Sequence, residues 1–182
     1  ESHEFPWDVV ELYREHGVFG LLFDEGHGGT GTGTLLALVA IEEVSKVCAT
    51  SGLLLAVQEL GSLGLKLAGS QAQKEAYLPK LASGENAGVA SLYTVFAKTD
   101  PDGGHAGISA FLVESDAPGF AVARLEPKMG ISGSTTGELT FDDCRDADPI
   151  TPPPDGPVTL EVEAEARDVT AAAIGQQPAG EG

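Results

Sequence analysis

The chain has 182 residues, of which 42% are hydrophobic, and its 28 acidic and 10 basic side chains give a formal charge of −18. A chain of this length buries roughly 70% of its unfolded surface, so it is long enough for a hydrophobic core. The negative charge argues against nucleic acid or an anionic membrane as a partner, because both bind basic surfaces. Two cysteines form no disulfide framework, and they fit a reducing, cytoplasmic location.

No apolar run approaches the roughly 18–20 residues that a membrane span requires, so no transmembrane segment is predicted. Residues 1–4 contain neither a basic region nor an initiating methionine. We therefore expect no targeting peptide, and the start resembles the middle of a longer protein.

The end of the chain differs in composition from the rest. Residues 146–182 carry one basic and eight acidic side chains, together with six of the eleven prolines. We therefore divide the chain into a helical part over 1–85, a β part over 86–145 and an acidic, proline-rich tail over 146–182.

Helical periodicity dominates the first part. Apolar residues recur every three or four positions in four stretches, after Trp7, at 35–47, at about 53–67 and at 70–82. Ser70 and Gln73 match a capping box that begins the fourth helix, which Pro79 is expected to end or kink. Gly61 and Gly64 each cost the third helix about 1 kcal/mol relative to alanine, unless a ligand or a neighbouring helix packs closely there.

In the second part the hydrophobic period changes to two. The predicted strands are Val89–Ala97, Gly107–Glu114, Phe120–Leu125 and Glu138–Phe141. Short turns rich in glycine, proline and aspartate separate them, so we predict antiparallel pairing and no βαβ crossovers. The predicted fold class is α+β, with a helical segment followed by a small antiparallel β domain.

The tail allows two interpretations. Its opening, Pro149–Pro157, is typical of a stiff, extended linker, and apolar and acidic residues then alternate over 158–166. That alternation predicts an edge strand whose glutamates discourage edge-to-edge pairing. A solvated acidic tail explains it equally well, and the last residues, 175–182, are expected to be disordered.

The glycine-rich stretch Gly26–Gly31 formally matches a dinucleotide-binding fingerprint. Such a site needs a second parallel strand ending in an acidic residue about 20 positions later. Glu42 and Glu43 lie near that distance, but inside a predicted helix. A glycine-rich connection between helices is therefore the better interpretation.

Other chemically active residues do not form a recognisable pattern. The four histidines lack ligand spacing, so we expect no metal site. Cys48 is expected on the apolar face of a helix and Cys144 beside a strand, which favours buried thiols over a nucleophile. The hydroxyls of 134–136 are suited to hold a phosphate, although a turn with self-bonded hydroxyls is the commoner arrangement.

Several stretches together resemble the acyl-CoA dehydrogenase family. They follow the family's order and cover about 1–145: Phe5–Gly20, Asp24–Gly31, Ile41–Val47, Gln73–Glu85, Tyr93–Pro101, Gly107–Val113, Pro118–Phe120, Lys128–Ser134 and Phe141–Arg145. The resemblance implies an N-terminal helical domain followed by a barrel-like middle β domain.

The chain also departs from the family pattern. Two family segments that supply much of the flavin contact, a TEPgaGSD loop and a G.K.WITN segment, are absent between Leu92 and Tyr93. Ser132 stands where arginine is frequent. The family's C-terminal helical bundle, which carries the catalytic glutamate, has no counterpart, so the base is unknown. Either segments are omitted from a longer sequence, or the protein is truncated.

What the resemblance implies is an FAD-dependent enzyme. A carboxylate removes the α-proton of an acyl-CoA thioester while a β-hydride passes to flavin. It also implies cofactor contacts at Leu92 and Ser134, substrate contacts at Glu59 and Leu63, electron-transfer flavoprotein as electron acceptor, and a homo-oligomer. The alternatives are a truncated, non-catalytic relative that acts as an interaction or regulatory protein, and a defective fragment with exposed apolar surface.

Overall fold

The computed structural model of the protein describes residues 4–85, 91–150 and 169–174. The α-helices are α1 (Trp7–Glu15), α2 (Gly33–Val47), α3 (Ala49–Ala68) and α4 (Gln71–Ala82). The strands are β1 (Leu92–Lys98), β2 (Ile108–Glu114), β3 (Phe120–Leu125), β4 (Gly137–Phe141), β5 (Asp148–Pro149) and β6 (Val169–Ile174). Three short 3₁₀ helices complete the list, at Val18–Leu22, Glu25–His27 and Gly104–Gly107. The predicted α+β order is confirmed, whereas the exact limits of the three parts stay predictions.

The start of α4 forms as the sequence predicts. Ser70 Oγ accepts the backbone N–H of Gln73 (3.2 Å), and Gln73 Oε1 accepts the N–H of Ser70 (2.9 Å). Pro79 does not end the helix, which continues to Ala82. Because the proline lies in the last turn, it removes one helical hydrogen bond near an end that frays in any case.

A single residue, Cys48, separates α2 from α3. Its side chain is exposed, so the expectation that it lies on the apolar face of a helix is wrong. The reason is local: Cys48 has extended backbone angles and forms the corner between the two helices. Cys144 is buried, as predicted.

The strands form two open sheets. One has the order β5-β2-β1-β6 with antiparallel neighbours throughout, and the other pairs β3 with β4. In the described part of the chain these sheets do not close into a barrel, which corrects the barrel-like shape that the resemblance implies. β1 runs through Leu92 and Tyr93 in unbroken register with β2, so the pairing forms without the family segments that are absent there.

Both faces of β1 are covered. Leu92 belongs to a helix–sheet core with Leu65 and Leu81 from the helices, whereas Tyr93 and Val95 belong to a sheet–sheet core on the opposite side. Successive side chains of a strand point to opposite faces, and burial on both explains why β1 is nearly continuous in apolar character.

Two of the glycines of α3, Gly61 and Gly64, permit a close contact with β1. Thr94 Oγ1 donates to the Gly61 carbonyl (2.7 Å), and a Cβ at Gly64 would lie 3.2 Å from Thr94 Cγ2. The expected close approach therefore exists, but the neighbour is a strand rather than a ligand or a helix. A small residue is favoured at Gly64 because the helix backbone lies close to the sheet there.

The tail contributes β6, which pairs with β1 from Leu92↔Ile174 to Ala97↔Val169. The strand predicted over 158–166, the linker after Ile150 and the disorder predicted over 175–182 lie outside the described residues. Over the described ranges, no helix is both long and apolar enough to span a membrane.

Candidate functional site

A cavity of about 410 Å³, here called the α2–α3 pocket, lies between the facing sides of α2 and α3. Its volume is within the range of about 300–1,000 Å³ that is common for small-molecule sites. The lining is mostly apolar, from Leu21, Leu22, Phe23, Ala37, Leu38, Ile41, Leu63, Leu67 and Leu78. The chargeable lining residues are Asp24, His27, Glu59, Lys66 and Lys74.

Helical spacing explains how α3 contributes its wall. Glu59, Leu63 and Lys66 are separated by four and three positions, so they lie on one face of the helix. Thr34 and Ile41 are seven positions apart on α2 and lie on one face of that helix for the same reason. Because α2 and α3 form a hairpin around Cys48, these two faces are opposite each other.

Lys66 is the most extensively bound polar residue of the pocket. Its Nζ pairs with Glu59 Oε2, donates to the Leu22 carbonyl (2.7 Å) and lies 4.4 Å from the centre of the Phe23 ring. The Leu22 carbonyl is at the end of a 3₁₀ helix, where carbonyl groups lack helical partners. Lys66 therefore joins α3 to the segment that forms the opposite wall.

The glycine-rich stretch forms the rim of the pocket. Asp24 Oδ1 accepts a hydrogen bond from the backbone N–H of His27 (3.0 Å) and forms a second one with His27 Nδ1 (2.6 Å). A Cβ at Gly29 would lie 2.1 Å from the Phe23 carbonyl oxygen, so only glycine fits there. The stretch connects a 3₁₀ helix to α2 and no strand precedes it among residues 4–85, which agrees with the predicted glycine-rich connection.

The structure brings together the two residues predicted to contact substrate. Glu59 and Leu63 both line the α2–α3 pocket, with side chains accessible from it. Sequence reasoning missed Lys66 and Phe23 as partners. A lysine seven positions after a glutamate is the signal that was available, since side chains on a helix point back toward its N-terminus.

The two residues predicted to contact the cofactor are not brought together. Leu92 is 1% exposed in the helix–sheet core, and Ser134 is 3% exposed. Gly133, next to Ser134, lies against Thr50 at the beginning of α3, whereas Leu92 shares its core with Leu65. Those two α3 positions are about 22 Å apart along the helix at 1.5 Å per residue.

A smaller cavity of about 250 Å³ is lined by Tyr77 and four acidic residues, Glu114, Asp116, Asp146 and Asp148. The Tyr77 hydroxyl donates to Glu114 Oε1 (3.1 Å). Burial, and then the negative charge of Glu114, raise the pKa of Tyr77 to about 12. In the described part of the chain no group of three or more His, Cys, Asp or Glu residues is arranged to hold a metal ion.

Comparison with known proteins defines the class of protein. Residues 1–85 match the acyl-CoA dehydrogenase N-terminal domain, and residues 83–144 match the acyl-CoA dehydrogenase middle domain. The chain therefore belongs to the acyl-CoA dehydrogenase family, whose members are flavin-dependent oxidoreductases.

Individual relatives agree with this assignment. The chain is 32% identical to an acyl-CoA dehydrogenase of Bacillus subtilis, over 78% of this chain and 48% of the relative. It is 32% identical to a short-chain specific acyl-CoA dehydrogenase of Clostridium acetobutylicum, over 79% and 48%. The structure of butyryl-CoA dehydrogenase from Megasphaera elsdenii superimposes with a TM-score of 0.67 at 28% identity, over 78% of this chain and 49% of that one.

The chain spans about half the length of the curated relatives it matches. The Bacillus subtilis alignment is 183 residues long but uses 78% of this 182-residue chain, which is about 142 residues. About 40 aligned positions therefore have no residue of this chain opposite them. That internal difference is in line with the two family segments that the sequence lacks.

Proposed function

We propose that the protein is an FAD-dependent acyl-CoA dehydrogenase that holds the acyl group of its substrate in the α2–α3 pocket. One observation carries this proposal: Glu59 and Leu63, the residues that the resemblance assigns to substrate, line the same largely apolar cavity. The presence of both the N-terminal and the middle domain of the family supports it.

The chemistry of the proposed reaction explains why such a pocket is needed. The proton next to a thioester carbonyl is weakly acidic, so its removal requires a desolvated base and the exclusion of water. Leu38, Ile41 and Leu63 provide apolar surface on both walls that excludes water from an acyl chain.

The cofactor part of the proposal meets a mismatch in the structure. Leu92 and Ser134 are both covered by protein and pack near different ends of α3, so neither side chain presents an open surface to a flavin.

A second candidate function follows from that mismatch. About 40 aligned positions of a relative have no counterpart here, and the assigned cofactor residues are buried. Both observations favour a relative that binds acyl-CoA without flavin and acts as an interaction or regulatory protein.

The proposed partners follow from the family. An acyl-CoA thioester is the substrate, electron-transfer flavoprotein is the electron acceptor, and the protein acts as a homo-oligomer in the cytoplasm. A solved structure described as the electron transferring flavoprotein of Acidaminococcus fermentans supports electron-transfer flavoprotein as the acceptor. It matches this chain with a TM-score of 0.72 at 29% identity, over 81% of this chain and 49% of that one.

Two measurements on the purified protein test these functions. Under the leading proposal we expect a flavin absorption band in the blue region that bleaches when butyryl-CoA is added, and calorimetric binding of the same thioester. A colourless protein that takes up no added FAD but still binds butyryl-CoA would overturn the dehydrogenase and support the flavin-free relative. Absence of both signals would reject the two functions together.

A further inference from the structure

The wall that α3 contributes to the α2–α3 pocket contains a charged pair in an otherwise apolar surface. Lys66 and Glu59 both line the α2–α3 pocket, and Leu63 lies between them on the same helical face. Their side chains retain 20% and 32% of their accessible surface, so water still reaches both groups. A ligand that fills the pocket covers part of that surface.

The pair is fixed in place by contacts on the other wall. Lys66 Nζ also donates to the Leu22 carbonyl (2.7 Å) and lies 4.4 Å from the Phe23 ring centre. Withdrawal of the lysine from the pocket would break an ion pair, a hydrogen bond and a cation–π contact at once. The charged groups therefore stay in the wall when a ligand enters.

When an acyl chain extends over this wall, its apolar contacts strengthen binding, whereas desolvation of the two charged side chains weakens binding. A saturated chain removes water from the two charged groups and returns no hydrogen bond. A cavity of about 410 Å³ is within the usual range for small ligands, so volume alone does not exclude longer chains.

We propose that the Glu59–Lys66 pair is a specificity determinant that reduces the preference of the pocket for long saturated acyl-CoA thioesters over short ones. This inference rests on the proposed acyl-binding function of the α2–α3 pocket. It concerns binding alone, and it holds whether or not flavin is present.

The test compares the dissociation constants of butyryl-CoA and octanoyl-CoA by calorimetry. Burial of four more methylenes in a fully apolar site would raise affinity about 200-fold. We expect octanoyl-CoA to bind less than about tenfold more tightly than butyryl-CoA to the unmodified protein. The double variant Glu59→Gln/Lys66→Met should raise this ratio at least about tenfold, because the charges of this pair no longer have to be desolvated.

Two control variants isolate the pair. Lys66→Arg retains the positive charge beside Glu59 and should keep the low ratio. Glu43→Gln/Lys46→Met removes an exposed ion pair of α2 (2.6 Å) by the same chemical change, outside the residues that line the pocket, and should leave the ratio unchanged. An equal ratio in the unmodified protein and the Glu59/Lys66 double variant would overturn the inference.

A comparison of ligands gives an independent test that needs no variant. Octanoyl-CoA and its ω-hydroxyl derivative differ by one group that can hydrogen-bond to the pair. We expect the hydroxylated thioester to bind the unmodified protein at least as tightly, and tenfold tighter binding of octanoyl-CoA would contradict the proposal. Failure of every thioester to bind would instead reject the acyl-binding function itself.

Discussion

At the scale of single residues, all three tyrosines of the chain are in environments that oppose ionisation. Burial raises the pKa of Tyr13 and Tyr93. Tyr77 differs because a carboxylate, Glu114, accepts its hydroxyl hydrogen bond, and burial together with that charge raises its pKa to about 12. The hydrogen bond joins α4 to β2, so the protonation state of one residue affects the packing of helices on the sheet.

The pKa of Tyr77 predicts how stability changes at alkaline pH. Its folded pKa of about 12 lies above the ordinary value of 10.0, so the stabilisation is complete below pH 10 and decreases as pH rises toward 12. We expect the difference in unfolding free energy between the unmodified protein and Tyr77→Phe to shrink over that interval, as measured by urea unfolding. Glu114→Gln keeps a hydrogen-bond acceptor without the charge and should lower the pKa of Tyr77. A difference that stays constant with pH would contradict the prediction.

Some of the residues that line the α2–α3 pocket can be predicted from the sequence, and others cannot. The positions of Glu59 and Leu63 came from resemblance to a family, and their shared face follows from helical spacing. The contact of Lys66 with Leu22 joins residues 44 positions apart, so it depends on how a 3₁₀ helix packs across α3. No local pattern in the sequence encodes that geometry.

At the scale of elements, β6 completes the sheet from outside the matched family domains. It pairs with β1 along Leu92–Ala97, on the edge opposite β2. In an antiparallel strand with two neighbours, the backbone groups alternate between them, so part of the β1 amides depend on each neighbour.

Removal of β6 should therefore expose one set of β1 amides. We expect a chain that ends at Asp168 to lose hydrogen-exchange protection at alternate residues of Leu92–Lys98, while the amides bonded to β2 stay protected. A chain that ends at Ile174 retains β6 and is the matched control. Equal protection in the two shortened chains would show that β1 does not need this strand.

The positions of the helices and strands are easier to predict from the sequence than the pairing between the strands. The four helices follow from apolar spacing and from the capping box at Ser70, which are local properties. The tail shows the limit, because Val169–Ile174 forms a strand although its residues do not alternate between apolar and polar in the way that would predict one. Pairing with β1 supplies its hydrogen bonds, and that pairing is set by tertiary structure.

At the scale of the whole molecule, the charge of −18 affects the proposed ligand. Coenzyme A carries phosphates, so a strongly acidic protein repels it at long range. Salt screens such repulsion over about 10 Å at 0.1 M, while contacts of the uncharged acyl group are less affected.

The affinity for acyl-CoA should therefore increase with salt if the proposed function holds. Between about 20 and 300 mM sodium chloride we expect the dissociation constant of butyryl-CoA to fall about two- to fivefold. Butyryl-pantetheine, which has no phosphate, is the matched ligand and should show little change. Weaker binding of butyryl-CoA at high salt would contradict the prediction and indicate direct contacts with basic side chains.

The side chain of Gln73 has a consequence for cooperativity. Its Oε1 completes the α4 cap, while its Nε2 donates to Asp148 Oδ2 (2.8 Å) and to the Pro149 carbonyl (3.1 Å). One amide group thus links the first turn of a helix to a strand 75 residues later in the chain. Fraying of that turn would therefore also break two hydrogen bonds to β5, so the stability of the first turn of α4 is coupled to the attachment of β5.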